Sequence, residues 1–283
     1  MTGRSAGRPM PEITVASLQL EPVIGEAAQN LARSLDMIER AADQGARLVV
    51  LPELANSGYV FNSREEALSL AEDALTGPAV TAWCALAAQR GLHIVAGLCE
   101  RAGGALYNSA VAIGPGGVLG RFRKVHLWDQ ENRFFESGDL GFPVLDLPFG
   151  RMGMLICYDG WFPESYRACA LQGADIVCVP TNWVPMPGQP AGCDVMANTL
   201  VMAGAHSNGL FVIAADRVGT ERGQAFLGCS LIVGPDGFPL AGPAPPAGEA
   251  ILLATIDPGS AAAARRLNGF NHLLHDRRAE HYR

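Results

Sequence analysis

Three residues that together could attack a carbonyl carbon stand at the ends of candidate strands in this 283-residue sequence. Glu53 follows RLVVL (47–51) and Pro52, Lys124 ends RFRK (121–124), and Cys157 closes MGMLIC (152–157). A thiol becomes a nucleophile when a base takes its proton and a donor holds the oxyanion its attack creates. Cys157 leads into YDGWFPE (158–164) and then a helix. Its sulfur should therefore face backbone N–H groups and a helix N-terminus, a setting expected to favour thiolate and lower the thiol pKa. Glu53 lies among uncharged neighbours in LANSGY (54–59), where burial would raise a carboxyl toward working pH and make it a base. Lys124 would supply the oxyanion donor. His126 is the alternative base, in a Cys–His pair. Taken singly, Glu53 reads as a solvated loop residue, Lys124 as a surface cation and any one cysteine as a small buried hydrophobe, so the case rests on the three together.

The elements that must position them recur in order. Ile13–Gln19 reads as a buried strand and 30–42 carries helical spacing, followed by the strand 47–51. The same order returns as 152–157, a helix over 164–172, and the strand 174–179 stopped by Pro180. AIGPGGV (112–118) and IVGPDGF (232–238) are both strand, turn and strand, offset by 120 residues (232 − 112). Gly114–Gly117 is a turn rather than a phosphate cradle, because no G-x-G-x-x-G follows. Two copies of one unit imply two mixed sheets, each flanked by helices and packed face to face. The expectation is an α/β fold, a four-layer α-β-β-α sandwich with an internal pseudo-two-fold repeat.

Composition agrees and narrows the function. Hydrophobic residues at 49% against 17% charged give material for a large core and no signature of disorder. A net charge of −7 with scattered basic residues offers no field for nucleic acid or an anionic membrane. No apolar run approaches the roughly 18 residues of a membrane span. Residues 1–12 lack an apolar stretch and read as a flexible leader, which places the chain in the cytoplasm. Seven cysteines without C-x-x-C spacing support neither a disulfide framework nor a zinc site. The scheme needs no metal and no cofactor.

The three motifs, LPELANSGY (51–59), GRFRKVHLW (120–128) and GMLICYDGWFPE (153–164), together resemble the nitrilase superfamily of carbon–nitrogen hydrolases. Glu53, Lys124 and Cys157 match its catalytic set in chain order, 71 residues (124 − 53) and 33 residues (157 − 124) apart. ADRVG (215–219), GCSLIVGPDG (228–237) and DRRAEHY (276–282) resemble later landmarks, so the likeness runs over nearly the whole chain. It implies one hydrolase domain over 13–267 and homodimers or larger homo-oligomers, while the tail over 268–283, rich in His and Arg and too polar to form a core element alone, is expected on a surface or partner subunit. It also implies a second glutamate that positions the substrate; Glu131 in ENRFFESGD (131–139) fits the register, and Glu136 is the competitor. Cys-Tyr-Asp at 157–159 resembles the amidase and carbamoylase branches, so a small primary amide is the expected substrate and an N-carbamoyl compound the alternative. Tyr59, Tyr158 and Trp183 are candidate pocket residues, and Arg217 a candidate for holding a substrate carboxylate.

Overall fold

Alternation along each strand decides the layers. In β1 (Ile13–Gln19), Val15 joins the core between the sheets, while Ala16 and Leu18 face the helices. The computed structural model describes residues 11–188 and 195–282, so most of the expected leader, and Cys193, lie outside the described residues. After β1 come α1 (Ala27–Asp43), β2 (Ala46–Val50), α2 (Arg64–Leu70), α3 (Pro78–Arg90), β3 (His93–Ala102), β4 (Ala105–Gly114) and β5 (Gly117–Arg123). Helix α1 buries Asn30, Ser34, Met37, Ile38, Ala41 and Ala42, a helical stripe laid on the sheet. It is tied to α3 by the Trp83 indole, which donates to Ser34 Oγ at 3.0 Å.

The second half repeats the pattern through β6 (Val144–Leu147), β7 (Gly150–Met154), α4 (Pro163–Leu171), β8 (Ile176–Pro180), α5 (Met196–Asn208) and β9 (Phe211–Ala215). The short pair β10 (Thr220–Glu221) and β11 (Gln224–Ala225) precedes β12 (Leu231–Val233), β13 (Pro239–Ala241), β14 (Ala250–Ile256) and α6 (Ser260–Ala264). One sheet runs β14-β1-β2-β3-β4-β5 and the other β13-β12-β9-β8-β7-β6. Strands β1, β2 and β3 are mutually parallel, as are β7, β8 and β9, and each triple is followed by antiparallel strands. The expected sandwich and its repeat are both present.

Val15, Leu48, Val50, Val95 and Phe122 of the first sheet bury against Met154, Ile176, Cys178 and Ile213 of the second. Each such side chain contributes about 1.5–3 kcal/mol by leaving water, so this dry layer holds the two sheets together. Ser17 crosses it, donating to Ala214 O at 2.7 Å.

Local differences from the sequence reading have simple causes. The strand expected over 152–157 leaves the ladder after Met154, and Cys157 opens a 3-10 turn, Cys157–Trp161. Strand β14, which the sequence reading did not single out, pairs antiparallel with β1 across the whole chain, Ile13 opposite Ile256. Within 268–282, the tail lies on α4, where Arg167 donates to Leu273 O and Leu274 packs on the core, while Phe270 is 96% exposed. The six described cysteines are free thiols. Among the described residues no helix is long and apolar enough to cross a membrane.

Candidate active site

Strands β2, β5, β7 and β8 end at one rim, where loops converge outside their carboxyl ends. Glu53 follows β2. Its loop packs so closely on β3 that a Cβ at Gly97 would lie 2.4 Å from Glu53 Cα and from Pro52 O; only glycine permits this approach. Lys124 leaves β5, held by its N–H to Asn108 O at 2.8 Å and by Gly138 N–H donating to Lys124 O at 2.8 Å.

The four ionisable residues are all buried: Glu53 at 0%, Lys124 at 1%, Glu131 at 4% and Cys157 at 7% exposure. Lys124 Nζ donates at 2.7 Å to Glu53 Oε1 and at 2.7 Å to Glu131 Oε1. An ammonium has three N–H donors, so one remains for a ligand. Glu53 Oε1 also accepts from Asn108 Nδ2 at 2.6 Å, whereas Glu53 Oε2 has no partner. Glu131 Oε1 further accepts from the Tyr59 hydroxyl at 2.7 Å, and its Oε2 accepts from Trp128 N–H at 3.0 Å. Glu136 instead lies at the surface, 3.5 Å from Arg64. Glu131, not Glu136, joins the cluster.

Burial pushes Glu53 up to about 7 despite the opposing Lys124 charge, and Glu131 adds to the rise. Lys124 keeps its proton well beyond the ordinary lysine range: burial works against the charge, but Glu131 and Glu53 outweigh it. The expectation of a lowered thiol pKa at Cys157 is overturned. Burial, then the Glu53 charge, pushes that thiol well above its ordinary value, and Lys124, the Thr181 hydroxyl and the Asn182 N–H offset only part of the rise. A short 3-10 turn is a weaker anion site than the helix end that the sequence suggested. Cys157 therefore rests as a thiol and needs a base. Its φ of +44° places the sulfur on a sharp strand-to-turn corner, a backbone conformation that costs about 1–3 kcal/mol for a residue with a Cβ.

Asp159, fully buried, ties the lysine and cysteine loops together. Its Oδ1 accepts from His126 N–H at 3.0 Å and lies 2.7 Å from His126 Nδ1, and its Oδ2 accepts from Ile156 N–H at 3.1 Å. His126 is stacked on Phe162 at 3.7 Å and is neither among the residues lining the Cys157 cavity nor among the groups acting on the thiol, where Glu53 stands instead, so Glu53 is the better-placed base. Asp159→Ala would leave the His126 and Ile156 backbone N–H groups without their acceptor, each orphaned buried group costing about 1–3 kcal/mol, and would release the part-exposed His126 imidazole. A fall in stability of at least about 2 kcal/mol is expected in urea unfolding, with kcat reduced because Lys124 and Cys157 lose their mutual register. An unchanged urea midpoint would refute the link.

Cys157 opens into a cavity of about 260 Å³ whose wall is Trp128, Tyr158, Trp161, Trp183, Val184 and Met186, with Asn182 beside the sulfur. No acidic or basic side chain is among its described lining residues. Of the candidate pocket residues, Tyr158 and Trp183 line this cavity, and Trp183 is also 2% exposed and so part of the core. Tyr59 is not in this cavity. It lines a neighbouring one of about 990 Å³, which shares Trp128 and Val184 and also contains Glu131. Arg217 is a structural residue: Nη2 donates to Pro22 O at 2.6 Å, Nη1 lies 3.1 Å from Glu221, and the guanidinium covers Phe226.

Sequence reasoning missed Asn108, Asp159 and Asn182. Asn108 had a signal, a lone amide inside the apolar strand ALYNSAVAIG. Asp159 and Asn182 lay inside segments already singled out, but nothing local distinguished them. Among the described residues no group of three or more His, Cys, Asp or Glu side chains is placed to hold a metal ion.

Comparison with known proteins gives this site a family. A profile of the carbon-nitrogen hydrolase family matches residues 14–266. A protein named nitrilase from Pyrococcus abyssi is 42% identical over 270 residues, covering 95% of this chain and 99% of that one. An N-carbamoylputrescine amidase from Solanum tuberosum is 35% identical over 262 residues, covering 87% and 86%. A mutant amidase from Nesterenkonia sp. AN1, solved with the acetamide moiety of fluoroacetamide added to its active-site cysteine, superposes with a TM-score of 0.77 at 28% identity over 97% and 98% of the two chains. Fold and site define an α-β-β-α hydrolase with a cysteine nucleophile. The chain belongs to the carbon-nitrogen hydrolase family, within the nitrilase superfamily.

Proposed function

We propose that the protein hydrolyses a small, uncharged primary amide to a carboxylic acid and ammonia, with Cys157 as nucleophile, Glu53 as base, Lys124 as oxyanion holder and Glu131 as positioning residue. The observation that carries this reading is the buried Glu53–Lys124–Glu131 cluster behind a cysteine that opens into an aromatic cavity with no charged side chain among its described lining residues. Glu53 Oε2 takes the Cys157 proton, and Sγ bonds to the carbonyl carbon. The third N–H of Lys124 and the Tyr158 backbone N–H stabilise the oxyanion. As the tetrahedral species collapses, the carbon–nitrogen bond breaks and Glu53 passes its proton to the departing ammonia. Glu53 then activates water against the thioester, releasing the acid and restoring the thiol. Glu131 holds Lys124 in place and is itself held by Tyr59.

The N-carbamoyl reading is second, favoured by the 35% identity to the potato N-carbamoylputrescine amidase. It requires the same four residues. Arg217, engaged elsewhere, is withdrawn as a carboxylate holder. The P. abyssi relative named nitrilase makes nitriles a necessary control. The test is ammonia release from simple amides, N-carbamoyl amines and nitriles, with wild type beside Cys157→Ala. Release from amides, absent in the variant, is the expected result. Preference for carbamoyl compounds would promote the second reading, and release from nitriles alone would overturn both.

A further inference from the structure

Beside the nucleophile stands a buried acceptor that the mechanism above does not use. Asn182 follows β8, is 2% exposed and lines the cavity with Cys157. Its orientation is set by chemistry. Glu53 O can only accept, so the amide nitrogen must face it, and Nδ2 donates there at 3.0 Å. That leaves the carbonyl oxygen, Oδ1, without a hydrogen-bond partner. The other carboxamide with an orphaned oxygen near the site, Asn108, sits behind Glu53 and is not among the residues lining this cavity. The Trp183 indole N–H, also unpartnered, is a donor and cannot serve an N–H.

Two carboxyl or carboxamide oxygens without partners thus stand beside the reacting centre, Glu53 Oε2 and Asn182 Oδ1; the Thr181 hydroxyl, unpartnered among the other side chains, is taken up by the Cys157 thiol. A primary amide brings two N–H donors on the atom that must leave. A nitrile or an ester brings none. We propose that Asn182 is a specificity-determining residue whose Oδ1 accepts an N–H of the scissile amide, so that the site selects carbon–nitrogen bonds bearing a donor over nitriles and esters. This deepens the amide reading and rests on it. A buried polar atom left unpaired is costly, so a site built to bind an N–H rejects analogues that lack one far more strongly than an apolar wall could.

The test compares one acyl group in three forms, propionamide, p-nitrophenyl propionate and propionitrile, using wild type, Asn182→Ala and the volume-matched Asn182→Leu. For the amide, kcat/KM should fall about 10–100-fold in both variants. For the activated ester it should change less than about threefold, because no N–H is read there and the retained rate itself reports an intact thiol. The amide-over-nitrile preference should shrink by the same factor as the amide rate. Amide and ester rates falling together would mean that Asn182 acts only through the Glu53 loop, which overturns this inference and leaves the amidase reading standing. An amide rate unchanged in both variants would overturn it as well. A wild type that turns over the ester but no amide defeats both readings.

Discussion

Lys124→Ala is expected to lower kcat by more than the roughly 10²–10³ that loss of one oxyanion donor costs. Two effects compound. The variant loses the N–H that would face the oxyanion, and it also leaves Glu53 and Glu131 buried together without the cation that now lies 2.7 Å from an oxygen of each. Like charges in a low-dielectric site cannot both stay ionised, so a proton is taken up and Glu53 is no longer a base at neutral pH. Breaking a buried pair by removing one partner costs about 3–5 kcal/mol. Proton uptake recovers part of that at low pH. Glu53, already raised by burial and by Glu131 and now without the lysine charge that lowers it, holds its proton more tightly in the folded variant than in the unfolded chain, so stability should be greater at pH 6 and fall as pH rises to 8. Urea unfolding at the two pH values, beside ammonia release, checks both halves. Wild-type turnover, or a variant no less stable than wild type at pH 8, would refute the assignment of Lys124.

Much of this arrangement is legible in the sequence because it is local. Apolar runs stopped by Pro52 and Pro180 mark strand ends, and the repeated hairpin chemistry at 112–118 and 232–238 exposes the duplication. Glu53 and Cys157 are found because each ends or follows such a run, and Lys124 because it follows the strand that leaves the first hairpin. What escapes is set by partners far away in the chain. Strand β14 has a role only opposite β1, and Asp159 matters because His126, 33 residues earlier, folds onto it. Asn182 becomes a candidate only once its amide nitrogen is seen on Glu53 O, 129 residues away. The thiol pKa failed for the same reason: the sequence shows the turn after Cys157, but not the depth of burial or the carboxylate beside it. Glu53, read as having uncharged neighbours, proved to bind an ammonium that it shares with a second carboxylate, again through contacts that are distant in sequence.

That electrostatic balance leads to the pH dependence. Glu53 is pushed up to about 7, and it works as a base only when ionised, so kcat/KM should rise with pH through about 7 and level off above it. Cys157 does not supply this limb. Its thiol is raised well above the ordinary range, so a reaction that relied on free thiolate would climb only at strongly alkaline pH. Alkylation of Cys157 by iodoacetamide should follow the Glu53 limb in wild type. In Glu53→Gln the carboxamide keeps an oxygen for Lys124 but cannot take a proton. Turnover should drop by about 10²–10⁴, and residual alkylation should lose the limb near 7 and rise only in the alkaline range. The two titrations separate the roles of the groups. A limb near 4.5, the ordinary value for a glutamate, would mean that Glu53 is solvated in the working enzyme. An alkaline limb alone in wild type would mean that the thiol ionises unaided. A limb near 7 that vanishes with Glu53→Gln means that one buried carboxyl, held poised by burial against its lysine, gates the first proton transfer.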